Sequence, residues 1–362
     1  MKKNPSCLLG MSGGTDSSVS AMLLQDKGYE VIGVTFRFWD SEAAKQHMKD
    51  AQALALKLDI RHIVHDARKQ FKAEIVDYFI DEYLAGRTPV PCVKCNNQLK
   101  WKLLSVLADE LSCDIISTGH YCNKIKKDGY FHIAKGVDPD KDQSFFLWGL
   151  PQDILRKIEF PLEQYTKEQV RKIAAEKGFP IISKKKDSLG VCFCPDDYRP
   201  FLQQYASPKN SECDSKSRPE YFFQFEKGNF VDEEGAVLGQ HQGYPFYTVG
   251  QRRGLGIHLN RAVFVKETIP ETNTVVLAPL KSLYKTEFYL KEWKLINEAD
   301  FTDAFDIITK IRYRKQATPS RVVKLNNGLL KVELADPLES IAPGQAAAFY
   351  REDVVLGGGI IV

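Results

Sequence analysis

The segment that best indicates chemistry is rich in glycine and hydroxyl side chains, and it follows a short apolar run: Gly10-Met11-Ser12-Gly13-Gly14-Thr15-Asp16-Ser17-Ser18. Glycine permits positive φ and lets the backbone approach a ligand closely. The hydroxyls and main-chain N–H groups suit phosphate oxygens, and a helix predicted to begin near Ser17 would direct partial positive charge at a bound anion. No Gly-Lys-Ser/Thr follows, so this is not a Walker loop. A structural turn without a ligand is the alternative.

The chain has eight cysteines, and four of them form two close pairs. Cys92 and Cys95 lie in a proline-restricted loop that runs into a predicted helix near Asn97. The helix N-terminus and Lys94 should both stabilise a thiolate, which predicts a reactive Cys95 with a lowered pKa. A half-exposed, inert cysteine is the alternative.

The second pair, Cys192 and Cys194, follows the basic run 184–186, which predicts a lowered thiol pKa there as well. Two separated reactive cysteines allow thiol–disulfide chemistry. The four cysteines would also allow a zinc site or an iron–sulfur cluster, although Cys192 and Cys194 are closer together than zinc ligands usually are. Cys7 and Cys113 have the apolar surroundings of small core residues.

Further polar clusters occur at predicted sheet ends and in the C-terminal half. The first two are Thr118-Gly119-His120-Tyr121 and Lys141-Asp142-Gln143-Ser144. In the C-terminal half, basic residues on predicted strands accompany an aromatic ring: Arg312, Tyr313, Arg314, Lys315 and Arg321. Basic side chains interleaved with aromatics suit an RNA backbone and splayed bases. A solvated strand face is the competing interpretation.

Length and composition bound the class of protein. A chain of 362 residues predicts two or three domains, and 43% hydrophobic with 27% charged residues is typical of a globular protein. The net charge of +3 permits a polyanionic partner if the positive charge is clustered. No apolar run reaches about 18 residues and the N-terminus has no signal-peptide pattern, so we expect a cytoplasmic protein with no membrane partner.

The spacing of hydrophobic residues along the chain predicts the strands and helices that position these residues. Apolar runs at 7–9, 30–36, 60–65 and 114–118 alternate with helix-like segments at 17–27, 43–58, 68–85, 96–112 and 165–178. This alternation predicts an α/β fold, a parallel sheet wound with helices, whose ligands bind at the carboxyl ends of the strands. A surface linker is predicted at 207–211. Short strands follow at 274–277, 307–314, 320–325, 329–334 and 347–350, with a hairpin turn at 326–328, and they predict a small C-terminal β-barrel.

Together these motifs resemble the tRNA-specific 2-thiouridylases, which are ATP pyrophosphatases with an SGGxDS loop. The resemblance covers nearly the whole chain. It is carried by motifs at 10–18, 87–96, 118–121, 141–147, 187–193, 239–243, 247–257, 312–314 and 343–345. It implies a catalytic domain over 1–205, a central tRNA-contacting domain over 206–273 and a β-barrel domain over 274–362.

The resemblance also implies an activity: ATP-dependent 2-thiolation of the wobble uridine of tRNA. The uracil 2-oxygen is adenylated and persulfide sulfur then replaces it, with ATP, Mg²⁺, tRNA and a persulfide donor (a cysteine desulfurase or relay protein) as partners. Cys95 matches the nucleophile and Cys192 the persulfide-bearing cysteine. Nucleotide contacts are implied for Gly10, Met11, Ser12, Gly13, Gly14, Thr15, Asp16, Ser17, Phe36 and Gly119. Contacts to tRNA are implied for His120, Lys141, Asp142, Gln143, Arg312, Tyr313 and Gln345.

Two positions depart from the family pattern. The loop before the first cysteine commonly reads Asn-Pro-Asp or Asn-Pro-Cys, whereas this chain has Val90-Pro91-Cys92. The usual contact of that asparagine with the target base and an acid/base role at the third position are therefore not expected here. An iron–sulfur-dependent tRNA thiolase, a small-molecule amide-forming ligase with the same ATP loop, and a non-catalytic RNA-binding protein are the alternatives.

Overall fold

The computed structural model describes residues 4–185, 190–206, 225–314 and 316–362. Its first half is a parallel sheet wound with helices, which confirms the predicted fold class; a small central sheet and a closed C-terminal barrel follow. No helix within the described ranges is both long and apolar enough to span a bilayer. The predicted linker at 207–211 and part of the 187–193 motif lie outside the described residues.

The strands are numbered in chain order. Those of the first half are β1 (Ser6–Gly10), β2 (Glu30–Arg37), β3 (Arg61–Asp66), β4 (Ile115–Thr118), β5 (Cys122–Lys127), β6 (Tyr130–Lys135) and β7 (Ile158–Glu159). Those that follow are β8 (Gly228–Val231), β9 (Val237–His241), β10 (Phe264–Ile269), β11 (Thr274–Ala278), β12 (Tyr284–Leu295), β13 (Ile307–Lys310), β14 (Ala317–Lys324), β15 (Leu330–Glu339), β16 (Ala346–Arg351) and β17 (Val354–Ile361).

Helices connect the strands of the first half. They are α1 (Thr15–Asp26), α2 (Glu42–Lys57), α3 (68–84), α4 (91–110), α5 (Gln152–Lys157), α6 (Lys167–Glu176), α7 (Pro180–Ser183) and α8 (Tyr198–Ala206). Helix α3 contains a π-helical stretch at Lys72–Val76, and α4 contains one at Cys95–Lys100. Stretches of π-helix are rare and frequently mark functional sites.

The parallel sheet places the glycine-rich loop at its switch point, where the strand order changes direction. Strand order is β3-β2-β1-β4-β7, so the chain moves outward from β1 through β2 to β3 and returns to the other side of β1 at β4. Strand β1 is fully buried at Cys7, Leu8 and Leu9, as expected for a central parallel strand. The loops that leave β1 and β4 therefore meet where ligands bind in such sheets.

The central sheet corrects one strand assignment. The strand predicted at 274–277 was expected in the barrel, but it is β11 of the central sheet, where it pairs antiparallel with β10 and parallel with β8, in the order β10-β11-β8-β9. The short turn Pro270–Thr272, closed by Asn273 in a left-handed conformation, fixes this hairpin. The division into three domains at the stated boundaries stays a prediction.

The C-terminal barrel has six strands in the order β12-β15-β14-β13-β16-β17 and closes by pairing of β12 with β17. The predicted hairpin turn joins β14 to β15, where Leu325 and Leu329 are hydrogen-bonded across it. The strand predicted over 307–314 ends at Lys310, so the prediction that Arg312 and Arg314 lie on a strand is wrong. The N–H of Ile311 donates to the carbonyl of Gln316, which closes a tight turn in place of the strand.

The barrel shares a hydrophobic core with the first half. Leu8, Trp101 and Trp148 belong to the same buried cluster as Tyr350 of β16 and further residues of β16 and β17. A Cβ at Gly358 of β17 would lie 2.7 Å from the Trp148 ring, so glycine is required for this close approach. The β5–β6 hairpin extends the barrel sheet through the pairing of Ala134 with Val354.

Candidate functional site

The glycine-rich loop is held in one conformation by close packing and internal hydrogen bonds. Gly13 has φ +68°, and a Cβ there would lie 2.5 Å from the carbonyl oxygen of His47. The N–H of Ser12 donates to Ser17 Oγ at 3.2 Å, and the two hydroxyl oxygens are 3.3 Å apart. Helix α1 begins at Thr15, with extended Gly14 as its N-cap, close to the predicted start. The loop therefore presents the start of a helix to the switch point.

Only part of the predicted set of hydroxyls faces this site. Thr15 Oγ1 donates to the carbonyl of Ile182 at 2.7 Å, and Ser18 Oγ donates to the carbonyl of Gly14 at 2.7 Å. These two hydroxyls are used within the protein. Ser17 Oγ donates to the carbonyl of Gly14 over a longer distance, 3.3 Å, and Ser12 Oγ contacts only Ser17 Oγ among the described residues. Ser12, and Ser17 after release of its longer bond, are therefore the hydroxyls best suited to phosphate oxygens.

Asp16 connects the loop to two other elements. Its Oδ1 accepts hydrogen bonds from Tyr121 Oη and from Lys167 Nζ, each at 2.7 Å. Lys167 lies at the start of α6, and its side chain is only 10% exposed. The carboxylate thus holds a buried ammonium group beside the loop.

The basic run at 184–186 acts on the loop and not on the thiols. Lys185 Nζ donates to the carbonyl of Gly13 at 2.7 Å and forms an ion pair with Asp50. The prediction that this run lowers the pKa of Cys192 is therefore wrong, and Lys186 lies outside the described residues. Sequence alone gave no sign that Lys185 would close over the loop, because the two segments are distant in the chain.

Two further predicted nucleotide-contact residues border the loop. A Cβ at Gly119 would lie 2.7 Å from the backbone nitrogen of Ser17, so this glycine allows the β4 end to pack on the start of α1. Phe36, at the end of β2, stacks on Phe38 with ring centroids 5.4 Å apart. Met11 is buried within the sheet, 3% exposed.

The three cysteines Cys92, Cys95 and Cys192, here called the thiol cluster, interact with one another electrostatically. Cys92 and Cys95 lie in the first two turns of α4, and Cys192 lies in a turn closed by the N–H of Cys194 donating to the carbonyl of Val191. Cys194 is not a member: its side chain is buried in an aromatic core. Cys95 and Val191, the neighbour of Cys192, pack against the same core, so Cys95 and Cys192 lie in one region of the structure, and their roles as a catalytic pair stay a prediction.

Burial governs the protonation of the thiol cluster. It raises the pKa of Cys95 to about 11. Cys192 is exposed on one side, but protein atoms around its sulfur remove part of its hydration and, together with the Cys95 and Cys92 thiols, raise its pKa to about 12. Burial also raises the pKa of Cys92. The predicted lowering of these values is wrong: α4 begins at Pro91, so Cys95 lies beyond the first turn, where the helix dipole acts most strongly.

Lys100 is a residue that the sequence analysis missed. It acts to lower the pKa of all three thiols, and its backbone N–H donates toward the Cys95 sulfur. Lys94, which the sequence analysis invoked for this role, pairs with Glu292 at 3.0 Å instead. The π-helical stretch separates Cys95 from Lys100 by five positions, and that i,i+5 relation is the signal that could have indicated Lys100.

His120 connects the thiol helix with the glycine-rich loop. Its Nδ1 lies 2.5 Å from Thr118 Oγ1, and its ring centroid lies 5.7 Å from that of Trp101 in α4. Burial holds the pKa of His120 well below its ordinary value, so the ring is neutral. Because the adjacent Gly119 contacts the loop, one short segment borders both halves of the site.

The remaining predicted tRNA contacts are distributed around this centre. Gln143 exchanges hydrogen bonds with the backbone of Tyr121, and buried Asp142 accepts from the N–H and hydroxyl of Ser144. Lys141, next to them, is half-buried. These contacts give Asp142 and Gln143 a structural role, and contact with tRNA stays a prediction for all three.

The predicted contacts from the barrel reach the same region. Tyr313 lies with its ring centroid 5.0 Å from that of Phe146, and exposed Arg312 donates to the carbonyl of Ser340 at 3.3 Å. Gln345 Nε2 donates to the carbonyls of Thr88 and Pro89, at 3.0 and 3.2 Å. Gln345 thus ties the barrel to the loop that leads into the thiol helix.

Asn96 has a buried polar atom without a partner among the described residues. Its Nδ2 donates to the carbonyl of Cys92 at 2.9 Å, whereas its Oδ1 accepts no hydrogen bond there, and the residue is 6% exposed. An unsatisfied acceptor of this kind requires an explanation. Its place directly after Cys95 makes Asn96 a further candidate for substrate contact.

Three family models match the chain. The tRNA methyl transferase HUP domain matches 6–196, the tRNA methyl transferase PRC-barrel domain matches 220–279, and the aminomethyltransferase beta-barrel domain matches 285–361. Together they account for most of the sequence.

Individual proteins are similar over the whole length. The tRNA-specific 2-thiouridylase MnmA 1 of Bacteroides fragilis is 55% identical over 361 residues, which cover 100% of this chain and 98% of the relative. The tRNA-specific 2-thiouridylase MnmA of Clostridium perfringens is 39% identical, covering 98% of this chain and 97% of the relative. Among solved structures, a 4-thiouridine synthetase in complex with RNA and ATP is 19% identical with a TM-score of 0.37, covering 50% of this chain and 43% of that one.

Proposed function

The chain belongs to the tRNA-specific 2-thiouridylase family, and we propose that it installs sulfur at position 2 of the wobble uridine of tRNA in two steps. The first step attaches AMP to the uracil 2-oxygen and releases pyrophosphate from ATP. The second replaces that oxygen with sulfur and releases AMP. The enzyme is thus a tRNA-uridine 2-sulfurtransferase.

The glycine-rich loop serves the first step. The uracil 2-oxygen attacks the α-phosphorus of ATP, and the bond to the β-phosphate breaks. Ser12, Ser17 and the N-terminus of α1 hold the leaving pyrophosphate, because N–H groups and the helix dipole favour negative charge there. Phe36 and Gly119 border the nucleotide.

Mg²⁺ fits this site as a partner of the phosphates. Both hydrogen bonds to Asp16 go to Oδ1, and within the described part of the chain Oδ2 accepts none. Asp16 and the phosphate oxygens would hold the ion, since Mg²⁺ is usually bound by one or two carboxylates together with phosphates and water. When bound, Mg²⁺ neutralises charge on the departing pyrophosphate.

The thiol cluster serves the second step. A persulfide on Cys192 is attacked by the Cys95 thiolate at Cys192 Sγ; the Cys95–Cys192 bond forms, and the outer sulfur leaves as hydrosulfide with its electron pair. Hydrosulfide adds to C2 of the adenylated uracil, and AMP departs. Because burial raises the pKa of Cys95, the Lys100 ammonium is needed to stabilise the attacking thiolate.

One observation supports the coupling of the two steps. Gly119 packs against the start of α1, and the next residue, His120, contacts Trp101 in the thiol helix. A uracil bound beside this segment would reach both the ATP loop and the sulfur source. The base must leave its stack to enter, as in other enzymes that act on a base.

The partners follow from this chemistry. Exposed Arg312 and Arg314 lie beside Tyr313 on the barrel and suit the tRNA backbone. Cys192 is exposed, so a cysteine desulfurase or a relay protein can deliver a persulfide to it. Because both tRNA and ATP are cytoplasmic substrates, we place the enzyme in the cytoplasm.

The direct test is mass spectrometry of nucleosides from tRNA incubated with the full chain, ATP, Mg²⁺ and a persulfide source. We expect 2-thiouridine at the wobble position and its loss in Cys192→Ser. Cys194→Ala is the matched control and should retain thiolation, because Cys194 lies outside the thiol cluster. Undiminished thiolation in Cys192→Ser would contradict the proposed sulfur route.

A further inference from the structure

The thiol cluster contains one cysteine more than the sulfur route uses. Cys92 stands where the family commonly has aspartate or cysteine, and it lies one helical turn before Cys95, which packs against the same core as Val191, the neighbour of Cys192. After each turnover the route leaves a Cys95–Cys192 disulfide, which blocks the cysteine that must receive the next sulfur. A third thiol at this place can reopen that disulfide within the protein.

Resting on the proposed function, we propose that Cys92 is the resolving thiol of the cycle. Cys92 attacks the Cys95 sulfur of the Cys95–Cys192 disulfide and forms a Cys92–Cys95 disulfide. The Cys95–Cys192 bond breaks, and Cys192 leaves as a thiolate that takes up the proton given up by Cys92. One disulfide replaces another, so the exchange needs no external oxidant or reductant.

The local geometry of α4 favours this pair. Cys92 and Cys95 are three positions apart on one helix face, where Cα atoms are about 5 Å apart, within the range that disulfides span. The N–H of Cys95 donates to the carbonyls of both Cys92 and Pro91, and that of Val93 donates to Val90. Bonds to the third preceding residue tighten the first turn toward 3₁₀ geometry, in which side chains at i and i+3 eclipse.

The start of the helix can also adjust to the new bond. No side chain caps it: Val90 is the N-cap residue and makes no side-chain hydrogen bond to the first turn. In a regular helix, Cβ atoms three apart are about 5–6 Å from each other, whereas a disulfide needs about 4 Å. An uncapped first turn can close that difference more readily than the interior of a helix.

The position of Cys192 gives the exchange a consequence for turnover. Phe193 and Cys194 are buried in the aromatic core and anchor the turn, whereas Cys192 is exposed. The exchange therefore frees the one thiol of the cluster that a persulfide donor reaches most easily. The Cys92–Cys95 disulfide is left for a dithiol reductant, which supplies two electrons and two protons in a separate step.

The test maps disulfides in the full-length protein. Reduced protein is oxidised with stoichiometric diamide, and a second sample is persulfidated and taken through one turnover with tRNA, ATP and Mg²⁺ without reductant. Both are blocked with N-ethylmaleimide and analysed as peptides, and nucleosides are measured in parallel. We expect a Cys92–Cys95 disulfide with alkylated Cys192, and complete loss of that pair in Cys92→Ser, where Cys95–Cys192 takes its place. Cys194→Ala should give the wild-type map.

Two results would overturn the exchange. The first is Cys95–Cys192 as the only disulfide in the wild-type protein while 2-thiouridine is formed; this outcome leaves the proposed function intact. The second is iron in protein purified without oxygen that is lost in Cys92→Ser, because Cys92 would then be a cluster ligand. Conversely, a Cys92–Cys95 disulfide after diamide without any 2-thiouridine would contradict the proposed function and, with it, the resolving role of Cys92, although it would show that the two thiols can pair.

Discussion

Replacement of Asp16 by alanine should separate the nucleotide chemistry from tRNA binding. The variant loses two hydrogen bonds of 2.7 Å and removes the Asp16 partner of Lys167, whose side chain is only 10% exposed. Charged hydrogen bonds contribute about 1.5–3 kcal/mol each, but Asp16 itself is 34% exposed, which weakens both. We therefore expect the free energy of unfolding to fall by about 2–3 kcal/mol.

The rate of pyrophosphate release should fall by more than this loss of stability can explain. Removing a preorganised group at a site of developing charge typically costs about 10²–10³ in rate, so release of pyrophosphate in the presence of tRNA should fall at least about a hundredfold. The assay measures pyrophosphate at saturating ATP and tRNA, at a temperature where urea titration shows the variant to be folded. Affinity for tRNA should change little, because Asp16 is not among the residues proposed to contact tRNA.

A double variant provides the control. Asp16→Ala with Lys167→Met removes the ammonium group together with its partner, so it should recover about 1 kcal/mol or more of unfolding free energy relative to Asp16→Ala. Its rate should stay low. If the double variant released pyrophosphate at the wild-type rate, Asp16 would serve only to neutralise Lys167, and its assignment to the nucleotide would be refuted.

Three further experiments test other parts of the site. Lys100→Met should raise the pKa of Cys95 above its value of about 11, so that alkylation of Cys95 at pH 8 becomes slower than in wild type. Lys100→Arg keeps the positive charge and should restore most of the alkylation rate. Equal rates in all three proteins would argue against a role for Lys100. Gln345→Leu removes two hydrogen bonds to the loop before the thiol helix, so the free energy of unfolding should fall by about 1–3 kcal/mol. A decrease in tRNA affinity without this loss of stability would instead indicate that Gln345 contacts tRNA directly. Arg314→Ala should reduce the salt dependence of tRNA binding by about one phosphate contact. Arg321→Ala should reduce it less, because Glu333 neutralises Arg321. A larger reduction in Arg321→Ala than in Arg314→Ala would contradict the proposed tRNA-binding surface.

The framework of the first half could be predicted from the sequence because it depends on local patterns. The apolar runs at 7–9 and 30–36 became parallel strands, and Gly13, with φ +68°, forms the tight turn before α1, whereas Gly10 ends β1 and Gly14 is extended. Such features need only the period of the hydrophobic residues and the conformational freedom of glycine.

The chemistry of the thiols could not be predicted in the same way. A helix start near Asn97 would place Cys95 at a dipole terminus, but the helix begins at Pro91, and burial raises the pKa of Cys95. Burial depends on α3 and the 191–194 turn packing around the helix, which a local pattern does not contain. The closure of Lys185 over Gly13 likewise joins segments that only the tertiary fold brings together.

The core shared between the two ends of the chain has a consequence for synthesis. Strands β16 and β17 are synthesised more than 330 residues after Leu8, yet they cover Trp148 and complete the cluster to which Leu8 belongs. Until residue 361 has been made, the nascent first half keeps an apolar face without its cover, and contacts of such long sequence separation form late. A chain released early would expose that face to chaperones and proteases. The fold thereby couples acquisition of a native first half to synthesis of β16 and β17, in an enzyme whose own substrate, tRNA, serves translation.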